Sequence, residues 1–241
     1  MIEVEELTRT YGEVTAVSTL SFRVDPGEVL GLVGPNGAGK TTTLRCIAGI
    51  LRPSSGHVRI AGHDIETDAV AAKRRLAFVP DEPQLFEYLT VVEHLRFIAR
   101  LYGVDDAEPH IDELLRELEL DTRRNDLPES LSRGMKQKLQ VACGLLYSPA
   151  ALLLDEPLTG LDPGAIRRMR ETILARARDG AAIILSSHLL PLVEQLCTRI
   201  LVIQSGKAVA VGTVAEIVAS RPELEGRGLE DVFFALMETS R

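Results

Sequence analysis

Eight consecutive residues, Gly34-Pro35-Asn36-Gly37-Ala38-Gly39-Lys40-Thr41, restrict this chain more than any other feature. They follow an apolar run at 28–33 and precede a helix-like segment at 41–51. Glycines let the backbone turn tightly and aim successive N–H groups inward, where they cradle phosphate oxygens. A helix starting at Thr41 adds the positive end of its dipole. Lys40 can reach the outer phosphates of a nucleoside triphosphate, and the Thr41 hydroxyl can ligate Mg2+, with Thr42 continuing the nucleotide-binding set. A strand, a loop of this kind and a helix in succession indicate an α/β domain around a parallel sheet.

Two further apolar runs, 151–154 and 182–185, read as parallel strands buried on both faces. The first ends in Asp155-Glu156-Pro157. Ligands in open parallel sheets bind beyond the carboxyl ends of the strands, so this acidic pair can lie beside the phosphate loop. There Asp155 would hold Mg2+, directly or through water, and Glu156 would act as general base toward water. Standing alone, the pair would equally be a solvated acidic turn. The second run ends in Ser186-Ser187-His188, which puts His188 on the same edge, able to meet a γ-phosphate or orient water; alone it reads as a capping or packing histidine. Ser132, in Leu131-Ser132-Arg133-Gly134-Met135, precedes a helix start and reads by itself as an N-cap.

Between these motifs the chain alternates in character. Residues up to about 64 read as short strands with turns, including 14–24, a turn at Pro26-Gly27, a loop at 53–56 and a strand at 57–60. Residues 90–144 carry apolar side chains at helical spacing, Val91, Val92, Leu95, Ile98 and Leu101, then Ile111, Leu114, Leu115, Leu118 and Leu120. Residues 205–212 suggest a hairpin, and a polar break at 221–228 precedes a short amphipathic end at 229–237.

At 241 residues, 45% hydrophobic and 26% charged, the chain is ordinary for a globular protein with a real core. Its net charge of −8 argues against a nucleic-acid groove as its main surface, since such domains are usually basic. No apolar run approaches the ~18–20 residues that cross a bilayer, and the first residues lack a signal-peptide pattern. A cytosolic chain is therefore expected. Cys46, Cys143 and Cys197 show no metal or disulfide spacing and read as small buried apolar residues of a reducing compartment.

Taken in order, these motifs resemble the ATP-binding cassette family over nearly the whole chain. The resemblance implies a P-loop NTPase core with a parallel sheet, an N-terminal antiparallel β subdomain and an inserted helical subdomain at about 84–146, all within residues 1–218, followed by a short extension at 219–241. It implies an ATPase using ATP and Mg2+. Tyr11 matches the aromatic that stacks on adenine, though it also reads as a core tyrosine. Ser132 and Gly134 match the signature that contacts the γ-phosphate of ATP held by a second cassette. Asp162 matches the residue coupling the two sites, Glu156 the catalytic base and His188 the switch histidine.

Two motifs depart from the family pattern. Arg133 and Met135 replace a glycine and a glutamine of the signature. Asp81 replaces a glutamine that approaches Mg2+ and the attacking water; aspartate is shorter, charged and no donor when ionised. It could still meet Mg2+, or serve as a turn residue before Pro83. These departures, with the ending Leu229-Glu230-Asp231-Val232-Phe233-Phe234, resemble the branch serving exporters with separately encoded membrane subunits. The implied partners are a transmembrane permease, docked near residues 81–88 with Leu85, Phe86 and Tyr88 as apolar candidates, one or two of which equally read as core, and a second cassette. The chain would then sit at the cytoplasmic face of a membrane. The competing reading is a soluble ATPase of the same family that remodels a ribosome or nucleic-acid complex. No guanine-reading Asn-Lys-x-Asp is present.

Overall fold

The computed structural model describes residues 1–219 and 228–239. In chain order, strands β1 (Ile2–Tyr11) and β2 (Val14–Val24) form a hairpin, and β3 (Val29–Val33) leads into α1 (Lys40–Ile47). Then come β4 (Ser55–Ile60), β5 (His63–Asp64), α2 (Ala69–Arg74) and β6 (Leu76–Val79). Three helices follow, α3 (Val91–Tyr102), α4 (Ala107–Glu117) and α5 (Arg133–Leu145). The remainder alternates: β7 (Ala151–Asp155), α6 (Pro163–Arg178), β8 (Ala182–Ser186), α7 (Leu190–Leu196), β9 (Arg199–Gln204), β10 (Lys207–Gly212), α8 (Val214–Ala219) and α9 (Leu229–Thr239).

The strands form two sheets. One is antiparallel, in the order β2-β1-β4-β5. The other runs β10-β9-β3-β8-β7-β6, parallel throughout except for β10 at its edge. This is the mixed α/β architecture that the sequence implies, with a separate N-terminal antiparallel sheet.

The central strands read as unbroken apolar runs because both faces are covered. Val29, Val33, Leu152, Leu154, Ile183 and Leu185 point into one cluster with α5, α6 and α7. Leu30, Leu32, Leu153 and Ile184 point into the other, with the antiparallel sheet and α1. Alternate residues thus serve opposite cores, as strand geometry requires. Full burial of each Leu or Ile stabilises by about 1.5–3 kcal/mol.

Some local readings shift. The segment 41–51 ends its helix at Ile47, and Gly49 follows with φ 62. Ser55 and Gly56, read as loop, belong to β4, because the long edge of β1 reaches them and pairs Thr8 with Ser55. Ser132 caps α5, its hydroxyl accepting from Met135 N–H at 3.2 Å. The 205–212 hairpin forms as β9 and β10 around Ser205-Gly206. The polar break lies outside the described residues, apart from Gly228. Among the described residues, no helix is long and apolar enough to cross a membrane.

Candidate functional site

Four parallel strands deliver the marked residues to one edge. Gly34 follows β3, Asp155 ends β7, Ser187-His188 follow β8 and Pro80-Asp81 follow β6. Between them lies a cleft of about 290 Å3, lined by Ala16, Asn36, Gly37, Ala38, Gly39, Lys40, Thr41, Thr42, Asp81, Asp155 and Glu156.

The loop holds its shape through close backbone packing. Gly39 has φ 104, and a Cβ there would lie 2.4 Å from the Ala16 carbonyl oxygen, so β2 presses directly on the loop. Any side chain would be strained by both the angle and the contact. Lys40 turns back over the loop, donating from Nζ to the Gly34 carbonyl at 2.7 Å and the Pro35 carbonyl at 3.2 Å. Burial pushes its pKa below the ordinary lysine value, while the charges of Glu156 and Asp155 act in the opposite direction.

The acidic pair is tied to the next strand. The Ser186 hydroxyl donates to Asp155 Oδ1 at 2.6 Å and accepts from Glu156 N–H at 3.1 Å. Ser186 is completely buried, and this bridging role was not assigned to it from sequence. The signal available was its place beside Asp155 in the parallel register. Glu156 has φ 50, left-handed backbone that a non-glycine residue seldom adopts and that clusters at functional sites. Its carboxylate Oε2 lies 2.8 Å from His188 Nδ1.

Other sequence candidates lie elsewhere. Tyr11 is 44% exposed at the end of β1, with the Arg9 guanidinium 4.6 Å over its ring. It is not among the cleft-lining residues, and neither are Ser132, Gly134 and Asp162. Asp162 caps α6, accepting from Ala165 N–H at 2.9 Å, and that bond holds its carboxyl below the usual range. Gly134 packs on the loop before α6, where an added Cβ would meet Leu161 Cδ2 at 3.2 Å. Asp81 both lines the cleft and accepts from Arg133 Nη2 at 3.3 Å.

The segment after Asp81 presents Tyr88 and Phe86, 88% and 53% exposed, while Leu85 packs partly into the core. Phe86 N–H donates to His94 Nε2 at 2.9 Å, and His94 Nδ1 lies 2.8 Å from the Thr90 carbonyl. That pairing requires a neutral ring with its proton on Nδ1, and burial pushes the His94 pKa below the ordinary value. Below about pH 6.5 the unfolded chain takes up a proton that the folded one resists. This contribution to stability is therefore present above that pH and lost as pH falls through the depressed folded value. The protection of Phe86 N–H, taken as its exchange rate relative to the intrinsic rate at each pH, is expected to fall on acidification, and a His94→Asn chain should lose most of that pH response.

The family model described as ABC transporter matches residues 17–159. The chain belongs to the ABC transporter family. It is 32% identical over 238 residues to the ABC-type transporter ATP-binding protein EcsA of Bacillus subtilis (strain 168), covering 98% of this chain and 96% of that protein. It is 39% identical over 221 residues to Nod factor export ATP-binding protein I of Paraburkholderia xenovorans (strain LB400), covering 91% and 73%. A solved ATP-binding subunit of an ABC transporter matches with TM-score 0.94 at 35% identity, over 98% of this chain and 99% of that one. A dimeric ATP-binding cassette in a post-hydrolysis state, bound to ADP and Pi, matches with TM-score 0.80 at 25% identity, over 89% and 99%. This ABC chain is an ATP-binding, ATP-hydrolysing transporter subunit, and the soluble-remodeller alternative gains no support.

Proposed function

We propose that two copies, or this chain and a close paralogue, clamp two ATP molecules head to tail and drive a separate membrane permease, in the direction of export. The observation that carries the reading is the cleft in which Lys40 and Thr41 face Asp155 and Glu156, with His188 2.8 Å from Glu156.

Asn36 to Thr42, with Gly34 and Pro35 shaping the turn, would wrap the phosphates. Lys40 would leave the Gly34 and Pro35 carbonyls for the β and γ oxygens. Tyr11 would stack on adenine with its open face, its other face being under Arg9. Ser132 and Gly134 of the opposite cassette would close over the γ-phosphate, and Asp162 would meet the partner across the same seam.

The donors present suit Mg2+. Thr41, Asp155 and Asp81 supply a hydroxyl and two carboxylates in one cleft, all hard oxygens, and Mg2+ is usually held by one or two carboxylates plus substrate phosphates. Bound there, Mg2+ would neutralise phosphate charge. Ser186 orients Asp155 from the adjoining strand. Glu156 would take the proton of the attacking water, and His188, its hydrogen-bond partner, would hold that carboxylate and the water in line.

Charge sharing across the seam makes ATP the adhesive, and hydrolysis removes it. Leu85, Phe86 and Tyr88 then form the apolar edge through which the permease would feel opening and closing, at the cytoplasmic face of the membrane. Capture of the tagged chain from detergent-solubilised membranes of its native host tests this. A stoichiometric multi-span membrane protein is expected to co-purify. Recovery of soluble or ribosomal proteins alone would overturn the permease reading and leave the ATP site standing.

A further inference from the structure

Two of the residues that depart from the family pattern meet in space. Asp81 and Arg133 are 52 residues apart, and their charged groups lie 3.3 Å from each other. Asp81 belongs to the wall of the chain's own nucleotide cleft. Arg133 stands between Ser132 and Gly134, the residues read above as contacts for the nucleotide of the other cassette. One ion pair therefore joins groups assigned to two different ATP molecules.

Its construction is specific. The Arg133 stem lies along Gly160, where an added Cβ would sit 3.4 Å from Arg133 Cδ and 3.6 Å from Nε. The stem is seated, while the side chains of Arg133 and Asp81 are 57% and 47% exposed. A pair this wet contributes little to stability, about 0–1 kcal/mol, and is cheaply broken. Its charges matter more. An aspartate alone would add repulsion to a cleft built for a polyanion, and together the two substitutions are neutral. A guanidinium is also the side chain best matched to phosphate, with a planar fork of donors.

We propose that Arg133 is a further phosphate-binding residue of the composite site, parked on Asp81 in the free subunit and transferred to the γ-phosphate of the partner's ATP when two cassettes close. This rests on the head-to-tail reading above. Asp81 is the competing counter-ion, so it tunes how readily the dimer forms. The polyphosphate, carrying more charge than one carboxylate, wins the competition on closure.

The test uses the full chain carrying Glu156→Gln, with ATP and Mg2+, and measures dimer dissociation by sedimentation velocity. A fluorescent ATP analogue on dilute chain measures binding to the monomer. Arg133→Ala is expected to weaken the dimer about tenfold per site, the scale of one charge-assisted contact, beyond the smaller loss of monomer affinity that an unpaired Asp81 causes, which the dilute-chain titration reads separately. With both chains saturated in ATP and Mg2+, so that a lost Mg2+ donor is read only in the monomer titration, Asp81→Asn is expected to tighten the dimer several-fold, and the gain should vanish in the double variant. If Arg133→Ala leaves dimerisation intact while Ser132→Phe abolishes it, the composite site stands and the role of Arg133 is overturned. If at saturating ATP and Mg2+ Asp81→Asn gives no gain in dimer affinity that depends on Arg133, the counter-ion role is overturned. A parent chain that forms no ATP-dependent dimer at any concentration would sink the head-to-tail reading and this inference together.

Discussion

Glu156→Gln is expected to keep ATP binding and to lower hydrolysis by about 10²–10⁴-fold, the scale of a lost general base. The substitution preserves size, and the glutamine oxygen can still accept from His188, whose Nδ1 lies 2.8 Å from the carboxylate in the parent chain. The Ser186 hydroxyl and carbonyl accept from the Glu156 N–H, a backbone donor that the change does not touch. What disappears is the capacity to accept a proton from water. Phosphate release and equilibrium nucleotide binding, measured on one preparation, separate the two quantities. A long-lived ATP-held dimer should accompany the loss of turnover. Ordinary turnover would remove Glu156 from the role of base.

Lys40→Ala should act one stage earlier and abolish nucleotide binding. Lys40 is 9% exposed, and in the free chain the hydrogen bonds of its ammonium go to two loop carbonyls. Each charge-assisted contact to phosphate contributes about 1.5–3 kcal/mol, so losing two weakens affinity about 10²-fold or more. The damage compounds because Asp81, Asp155 and Glu156 stay in the same cleft, which would then present three carboxylates to a polyanion with no lysine to offset them. The fold should survive, since alanine favours helix at the first position of α1. Titration calorimetry with ATP on a chain of unchanged circular dichroism is the measurement, and unaltered affinity would contradict the phosphate-loop assignment.

Much of the site was legible in the sequence because its members sit at strand ends, and strand ends can be read from apolar runs. Gly34, Asp155 and His188 each follow or end such a run, and the parallel sheet brings those ends together by construction. Side-chain traffic between strands could not be read this way. Nothing in the spacing says that the Ser186 hydroxyl bridges Asp155 and Glu156, or that Glu156 takes a left-handed backbone. Asp81 and Arg133 were visible as two separate oddities. Their pairing depends on how the helical segment lies over the end of β6, which periodicity does not encode. The loop reading of Ser55 and Gly56 failed for a similar reason, since a tertiary partner, β1, overrides local turn chemistry.

The strand that carries the phosphate loop is central, and its neighbours are made late. Val29 pairs with Ile183 on one side, and Leu30 with Arg199 on the other. At ribosomal speeds of about 5–20 residues per second, roughly ten to thirty seconds pass between the emergence of β3 and that of β9. During that interval the glycine-rich loop exists as chemistry without a frame, and the apolar residues of β3 have no sheet to enter. Nucleotide can therefore stabilise the subunit only after β7 and β8 have brought Asp155 and Glu156 beside the loop. ATP in the cell would act as a late clasp on folding, and any event that truncates translation before β7 would yield a chain with every phosphate-loop residue and neither Asp155 nor Glu156.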